Sequence, residues 1–102
     1  MRAAAEPVLD AVGEPTRRRI LELLRHGPRS VSSLASELPV SRPAVSQHLA
    51  KLSAAGLVTR TVEGRLHLYS VRAEGFEVIR TYAESFWSEA LARFRLVADN
   101  LE

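Results

Sequence analysis

From Val40 to Gly56 the chain reads VSRPAVSQHLAKLSAAG, and this stretch limits the fold more than any other. With Val45 at the centre of a buried side, Leu49 and Leu52 follow at i+4 and i+7. At about 3.6 residues per turn they form a narrow apolar stripe along one helix. Pro43, Gln47, Ala50 and Ala54 fall on the opposite side. A helix that merely faced water would usually carry long charged residues there, whereas small residues beside a few donors suit the close approach of another surface. Ser41 is placed to cap this helix, Pro43 is tolerated because it stands within the first turn, and Gly56 stops it.

The flanking segments read as supports for that helix. An opening helix over about 3–12 offers Val8, Leu9 and Val12, an apolar side too small to stand alone, so it must dock on something. Gly13 breaks it, Pro15 opens a second helix, and Gly27 with Pro28 ends that one. Ile20, Leu21, Leu23 and Leu24 make the second helix a core element, with Arg17 at the core margin, where a structural ion pair is favoured over a phosphate contact. Ser30 caps a third helix in which Val31, Leu34, Ala35 and Leu38 recur at helical spacing, and Pro39 and Val40 form the turn. From Leu57 the period changes. Leu57 to Val62 and Leu66 to Val71 are two strand-like runs separated by Glu63, Gly64 and Arg65, a hairpin whose tip bears Arg65 and, across it, Arg60. Helical periodicity returns beyond Arg72, with Ile79, Ala83, Phe86, Ala90, Phe94, Val97 and Leu101 on one stripe and Tyr82, Trp87 and Leu91 beside it. The expected architecture is mainly α with a small β-hairpin: about five helices and a two-stranded wing in a single domain over 1–102. Its helix-turn-helix covers about 30–55 and its wing about 57–71, between terminal helices at about 3–12 and 75–101.

Composition narrows the chemistry. A chain of 102 residues suffices for one core without staples. It has no Cys, so disulfides, thiolate ligands and a cysteine nucleophile are excluded. The segment MRAAAEPVLD holds neither a signal-peptide core nor a membrane span of about 20 residues; the expectation is a soluble, cytoplasmic protein without a membrane role. Net charge is only +2, but residues 1–72 carry +5 and residues 73–102 carry −3. Within 38–72, Arg42, Lys51, Arg60, Arg65 and Arg72 oppose Glu63 alone, the asymmetry of a surface that meets an anionic polymer. A solvated basic face is the plainer alternative. His26, His48 and His67 fall in different elements, and neither a Gly-rich phosphate loop nor a paired-carboxylate motif is present, so an enzyme is not expected.

Two short helices, a three-residue turn and a hairpin are the order of a winged helix-turn-helix. Three segments make the likeness specific: GEPTRRRILELL in the second helix, SRPAVSQHLAKLSAAGLV through the fourth, and VEGRLHLYSV in the wing. Over about residues 8–100 the chain resembles ArsR-type (arsenical-repressor-like) transcription regulators. The resemblance and the physical reading agree on double-stranded DNA as partner. The first half of the fourth helix is expected in the major groove, where Arg42 can pair with guanine, Gln47 with adenine, and Ser46 with base or phosphate. Pro43 lies on the same face. Lys51 and the Ser41 hydroxyl are expected at phosphates, and Arg60 and Arg65 at the backbone or minor groove of the adjoining segment. His48, at the edge of the apolar stripe, reads either as a packed histidine with one polar contact or as a further DNA contact.

One such unit reads few base pairs, so a homodimer on inverted half-sites is expected. By resemblance, the first and last helices pack across a two-fold axis, through Val8, Leu9, Val12, Ile79, Tyr82, Phe86, Trp87, Ala90, Phe94 and Val97. The other reading is that the stripe covers the chain's own core. Many relatives in the family sense metals through thiolates before the recognition helix or through His and carboxylates in the last helix. Here Ser32, Ser33 and Ser36 stand in the former region and no His follows His67. Glu77, Glu84 and Glu89 alone make a poor transition-metal site. The chain is therefore similar to the metal-independent branch, which represses its own and neighbouring genes, with no cofactor and with no effector that the residues name. A winged-helix interaction module that does not bind DNA specifically is the competing class.

Overall fold

The computed structural model describes residues 2–101, with side chains from Ala5 to Leu101. Among these, the elements run α1 (Arg2–Val12), α2 (Pro15–Leu24), α3 (Val31–Ala35), α4 (Arg42–Ala54), β1 (Val58–Glu63), β2 (Leu66–Val71) and α5 (Ala73–Asn100). This is the expected set of five helices and an antiparallel two-stranded wing. Side chains cap the N-termini of α2, α3 and α4, whereas α5, with Arg72 at its N-cap position, has no side-chain cap. Ser30 Oγ accepts the Ser33 N–H at 3.1 Å, Ser41 Oγ accepts that of Ala44 at 3.3 Å, and Glu14 caps α2 by accepting the Arg17 N–H at 2.9 Å.

The core is assembled from one residue set per helix. Ile20 of α2, Leu34 of α3, Val45, Leu49 and Leu52 of α4, and Leu57 before the wing are fully buried, and Val8 and Ala11 of α1 close the same cluster. The stripe that the sequence places on α4 is thus the part that holds it to the domain. Arg17 plays a structural part, though not through the expected ion pair. Its Nε donates to the Ala11 carbonyl at 2.7 Å and its Nη2 to that of Asp10 at 3.2 Å, while Arg18 Nη1 donates to the Val12 carbonyl at 2.7 Å. Two cations therefore serve the carbonyls that the end of α1 leaves without intrahelical partners.

Two boundaries differ from expectation. The third helix stops at Ala35 rather than continuing to Leu38, because the N–H groups of Glu37 and Leu38 bond at i+3 spacing to the carbonyls of Leu34 and Ala35 (3.1 and 3.3 Å). This tight final turn still delivers Leu38 to the core. In the wing, Glu63 pairs with Leu66, so the loop is Gly64 and Arg65 alone. Gly64 at φ +61° takes the first loop position, as a two-residue hairpin of the twist-matched type requires. The same register pairs Arg60 with Tyr69, so Arg60 lies midway along the strand and not across the tip from Arg65.

The wing and α5 are both tied to the helix-turn-helix. Arg29 and Tyr69 exchange backbone hydrogen bonds of 3.0 and 2.8 Å, which anchors β2 to the segment before α3. The Arg29 side chain then donates to Ser33 Oγ at 2.8 Å and to the Ser33 carbonyl at 3.1 Å, and it pairs with Glu37. At the start of α5, Gly75 is buried against the end of α4 so closely that a Cβ there would stand 2.1 Å from the Gly56 carbonyl oxygen. Only glycine fits that crossing. Phe76, Val78 and Ile79 still pack against the core, and beyond them α5 leaves the domain: its 28 residues span roughly 42 Å at the α-helical rise of about 1.5 Å per residue. The chain accordingly measures 66 × 24 × 23 Å, with a radius of gyration of 18.0 Å where a compact chain of this length has about 13 Å.

Candidate nucleic-acid interface

Burial of Val45, Leu49 and Leu52 turns the rest of α4 outward. Arg42, Pro43, Ser46, Gln47, Ala50, Lys51, Ser53 and Ala54 are all exposed, and so is the capping residue Ser41. The face is low in profile, with the longer polar side chains of Arg42, Gln47 and Lys51 standing over alanines and serines. Arg60 and Arg65 are exposed on the wing beside it. Several other arginines are engaged within the chain: Arg19 with Glu22, Arg29 with Glu37, Arg72 with Glu74, and Arg80 with Glu77 and Glu84. Among the described residues, Arg42, Lys51, Arg60 and Arg65 have no such acidic partner within 4.0 Å. Their charge remains available to an external anion.

Between α4 and the wing lies an open cleft of about 570 Å³, lined by Ala50, Ser53, Val58, Thr59, Arg60 and Tyr69. Ser53, Thr59 and Tyr69 do not stand out in the sequence. Only the pairing of Arg60 with Tyr69, fixed by the hairpin register, brings them to the flank of α4. Arg65 sits apart from this cleft, in the loop at the far end of the wing.

His48 is placed differently from its neighbours. Its side chain is 21% exposed, and Nδ1 lies 3.7 Å from Glu14 Oε2. Arg17 Nη1 stands 3.5 Å from the same nitrogen. The ring therefore looks back toward the corner between α1 and α2. Glu14 is held below its ordinary carboxylate range, first by the hydrogen bond from the Arg17 backbone N–H, against which partial desolvation works, and further by Thr16 and by the proximity of His48.

Among the side chains weighed as metal ligands, Ser33, Ser36, Glu77 and Glu84 are engaged with neighbours of their own chain. Ser33 Oγ accepts from Arg29, and Ser36 Oγ donates to the Ser33 carbonyl at 2.7 Å. On α5, Arg80 donates to Glu77 Oε2 at 2.6 Å and to Glu84 Oε1 at 2.7 Å. That bridge lowers the Glu77 pKa, chiefly through the hydrogen bond, and raises that of Arg80. Among the described residues, no three His, Asp or Glu side chains gather as a ligand set. Nor is any described helix long and apolar enough to cross a membrane.

The residues assigned to a subunit interface divide in two. Val8 is buried in the chain's own core, and Leu9, Val12 and Ile79 are half-buried. Tyr82, Phe86, Trp87, Ala90, Phe94 and Val97 are exposed along the projecting part of α5, Phe86, Trp87 and Phe94 at 59, 65 and 70%. Tyr82 and Phe86 pack edge to face with ring centroids 5.2 Å apart.

A helix-turn-helix braced by α2, followed by a hairpin with free cations, defines the winged helix-turn-helix class of DNA-binding proteins. Comparison with known proteins makes the assignment particular. Residues 14–60 match the family described as "Bacterial regulatory protein, arsR family". The chain is 43% identical over 90 residues to the HTH-type transcriptional regulator Rv2034 of Mycobacterium tuberculosis, covering 88% of this chain and 84% of that protein. It is 34% identical over 64 residues to the transcriptional repressor SdpR of Bacillus subtilis, covering 63% of this chain and 71% of the relative. Among solved structures, an ArsR-like transcriptional regulator from Rhodococcus sp. RHA1 superposes with a TM-score of 0.78 at 35% identity, covering 95% of this chain and 94% of that one. The chain belongs to the ArsR family; it is a transcriptional regulator and not an enzyme.

Proposed function

We propose that the chain acts as a homodimeric repressor that binds an inverted-repeat DNA operator without sensing a metal. The observation that carries the reading is the exposed, low face of α4 flanked by four cations without acidic partners. In this reading Arg42, Ser46 and Gln47 read base edges in the major groove, with Pro43 on the same face, while Ser41 and Lys51 hold phosphates. The DNA backbone passes through the cleft beside α4, where Arg60 and the hydroxyls of Ser53 and Thr59 meet it, and Arg65 reaches the next groove.

The dimer half of the reading rests on α5. A row of large apolar side chains that projects from the domain is rare on a protein that stays monomeric. Two copies related by a two-fold axis would cover each other's Phe86, Trp87 and Phe94, with Tyr82, Ala90 and Val97 beside them and Leu9, Val12 and Ile79 at the margin. The same axis would set two α4 helices about one DNA turn apart, roughly 34 Å. Residues 1–102 then work as one domain whose ends dimerise and whose middle reads. Metal independence is supported by the engaged serines before α4 and by the Arg80 bridge, and a regulator of this kind works in the cytoplasm.

Selection of duplexes from a random pool tests the whole reading. The expected product is a two-fold symmetric sequence whose affinity falls steeply with salt. If binding shows neither sequence preference nor salt dependence, the chain is an interaction module. Tight stoichiometric Zn²⁺ binding at neutral pH would contradict metal independence.

A further inference from the structure

α4 is held to the domain by an apolar stripe, and apolar contacts are non-directional. Packing of Val45, Leu49 and Leu52 into the core sets the depth of the helix and its rough orientation, and a directional contact sharpens its roll further. Base reading is stricter, because a constellation that works loosely must be held within about 0.5 Å and 10–20°. Among the residues of α4, His48 is positioned to add such a contact. Its Nδ1 accepts from Arg17 Nη1 at 3.5 Å when the ring carries its proton on Nε2; in the other tautomer the Nδ1–H faces Glu14 Oε2, 3.7 Å away. Neither partner is free to follow the ring. Arg17 is fastened through Nε and Nη2 to the carbonyls of Ala11 and Asp10 at the end of α1, and Glu14 is fastened to the Arg17 backbone N–H as the cap of α2.

We propose that His48 is a positioning residue: it locks the roll of the recognition helix to the α1–α2 corner, so that the seating of α1 governs how Gln47 and its neighbours meet the bases. The inference rests on the DNA reading above. His48 adjoins Gln47 in sequence, so any rotation that the ring prevents would otherwise move the base-reading amide directly. Arg17 is the relay, since one guanidinium touches both the last turn of α1 and the recognition helix.

A double-mutant cycle of His48→Ala with Arg17→Lys tests this, on the duplex that the unmodified protein selects from a random pool and on a scrambled duplex. Each single change is expected to weaken binding to the selected duplex by about tenfold, and the double change no further than the weaker single. Binding to the scrambled duplex and the salt slope should stay as they are. His48→Asn, whose side-chain amide can take the place of Nδ1, should recover most of the loss. If His48→Ala does not fold, as judged by circular dichroism, the same cycle is run with His48→Gln, which cannot place a polar atom at the Nδ1 position without shifting the chain. Losses that multiply, a salt slope lowered by about one, or relaxed preference at a base pair outside those that Arg42, Ser46 and Gln47 read would overturn the inference, the last two in favour of direct contact by His48. A protein that selects no duplex at all would remove the DNA reading and this inference together.

Discussion

Two helices of this chain each present a bare face, and they are bare in opposite ways. α4 exposes Ser46, Gln47, Ala50 and Ala54 with cations at the edges; α5 exposes Phe86, Trp87, Phe94 and Val97. The first face is small and polar and is comfortable in water, and its low profile leaves room for another surface to come close to the backbone. The second is large and apolar and is uncomfortable in water, which favours a partner that covers it. One face therefore fits a hydrated, charged partner and the other an apolar one. Gly75, at the start of α5, lies backbone against backbone on Gly56, just past the end of α4.

The largest expected effect falls on the apolar face. Trp87 is 65% exposed, so covering it on both copies of a symmetric dimer should contribute on the order of 6 kcal/mol by apolar area. Trp87→Glu removes that and introduces two charges, and sedimentation should show monomers at micromolar concentration. Because two half-sites are then no longer linked, affinity for the selected duplex should fall with it. An unchanged dimer would place the interface elsewhere and end the comparison in its present form.

The polar face should respond more gently and more selectively. Gln47→Ala or Arg42→Ala is expected to cost about 1–3 kcal/mol on the selected duplex and to relax preference at the base pair concerned, while leaving the dimer intact. Arg65→Ala is smaller still: a nearly uniform weakening across sequences, with the salt slope reduced by about one. Fluorescence anisotropy at several salt concentrations separates the two. A base-specific effect from Arg65, or a uniform one from Gln47, would show that the division between reading and holding has been drawn in the wrong place.

The sequence carried α4 well because its signals are local: a hydroxyl cap, a proline in the first turn, three apolar residues at helical spacing and a glycine stop. The wing was legible as a period change, but the position of Arg60 was not. Counting Glu63 into the loop shifts its apparent place to the tip, and only the Glu63–Leu66 pair fixes it beside Tyr69 and the α4 cleft. α3 ended early because a helix of this length has no interior to enforce it, and a tightened turn satisfies Leu38 as well. Least legible was the Glu14–Arg17–His48 corner. Its partners are 31 residues apart, and nothing in the pattern tells a carboxylate at an N-cap from one in solvent.

That corner yields the mildest prediction, on the hidden side of α4. The Arg17 N–H holds Glu14 ionised below its ordinary value of 4.5, and His48 assists. The unfolded chain thus takes up a proton near the ordinary value while the folded chain does so only at lower pH, so between the two the unfolded state binds more protons and stability rises with pH. The contribution is complete above pH 4.5 and is lost as pH falls through the depressed folded value. Glu14→Gln keeps an oxygen for the Arg17 N–H but has no proton to exchange. Its stability deficit relative to the unmodified chain should therefore be full at pH 6–7 and should shrink as pH falls below 4.5, as read from urea midpoints from neutral to acid pH. A deficit independent of pH would mean that the Glu14 charge does not contribute, leaving Arg17 as the polar tie between the back of α4 and the α1–α2 corner.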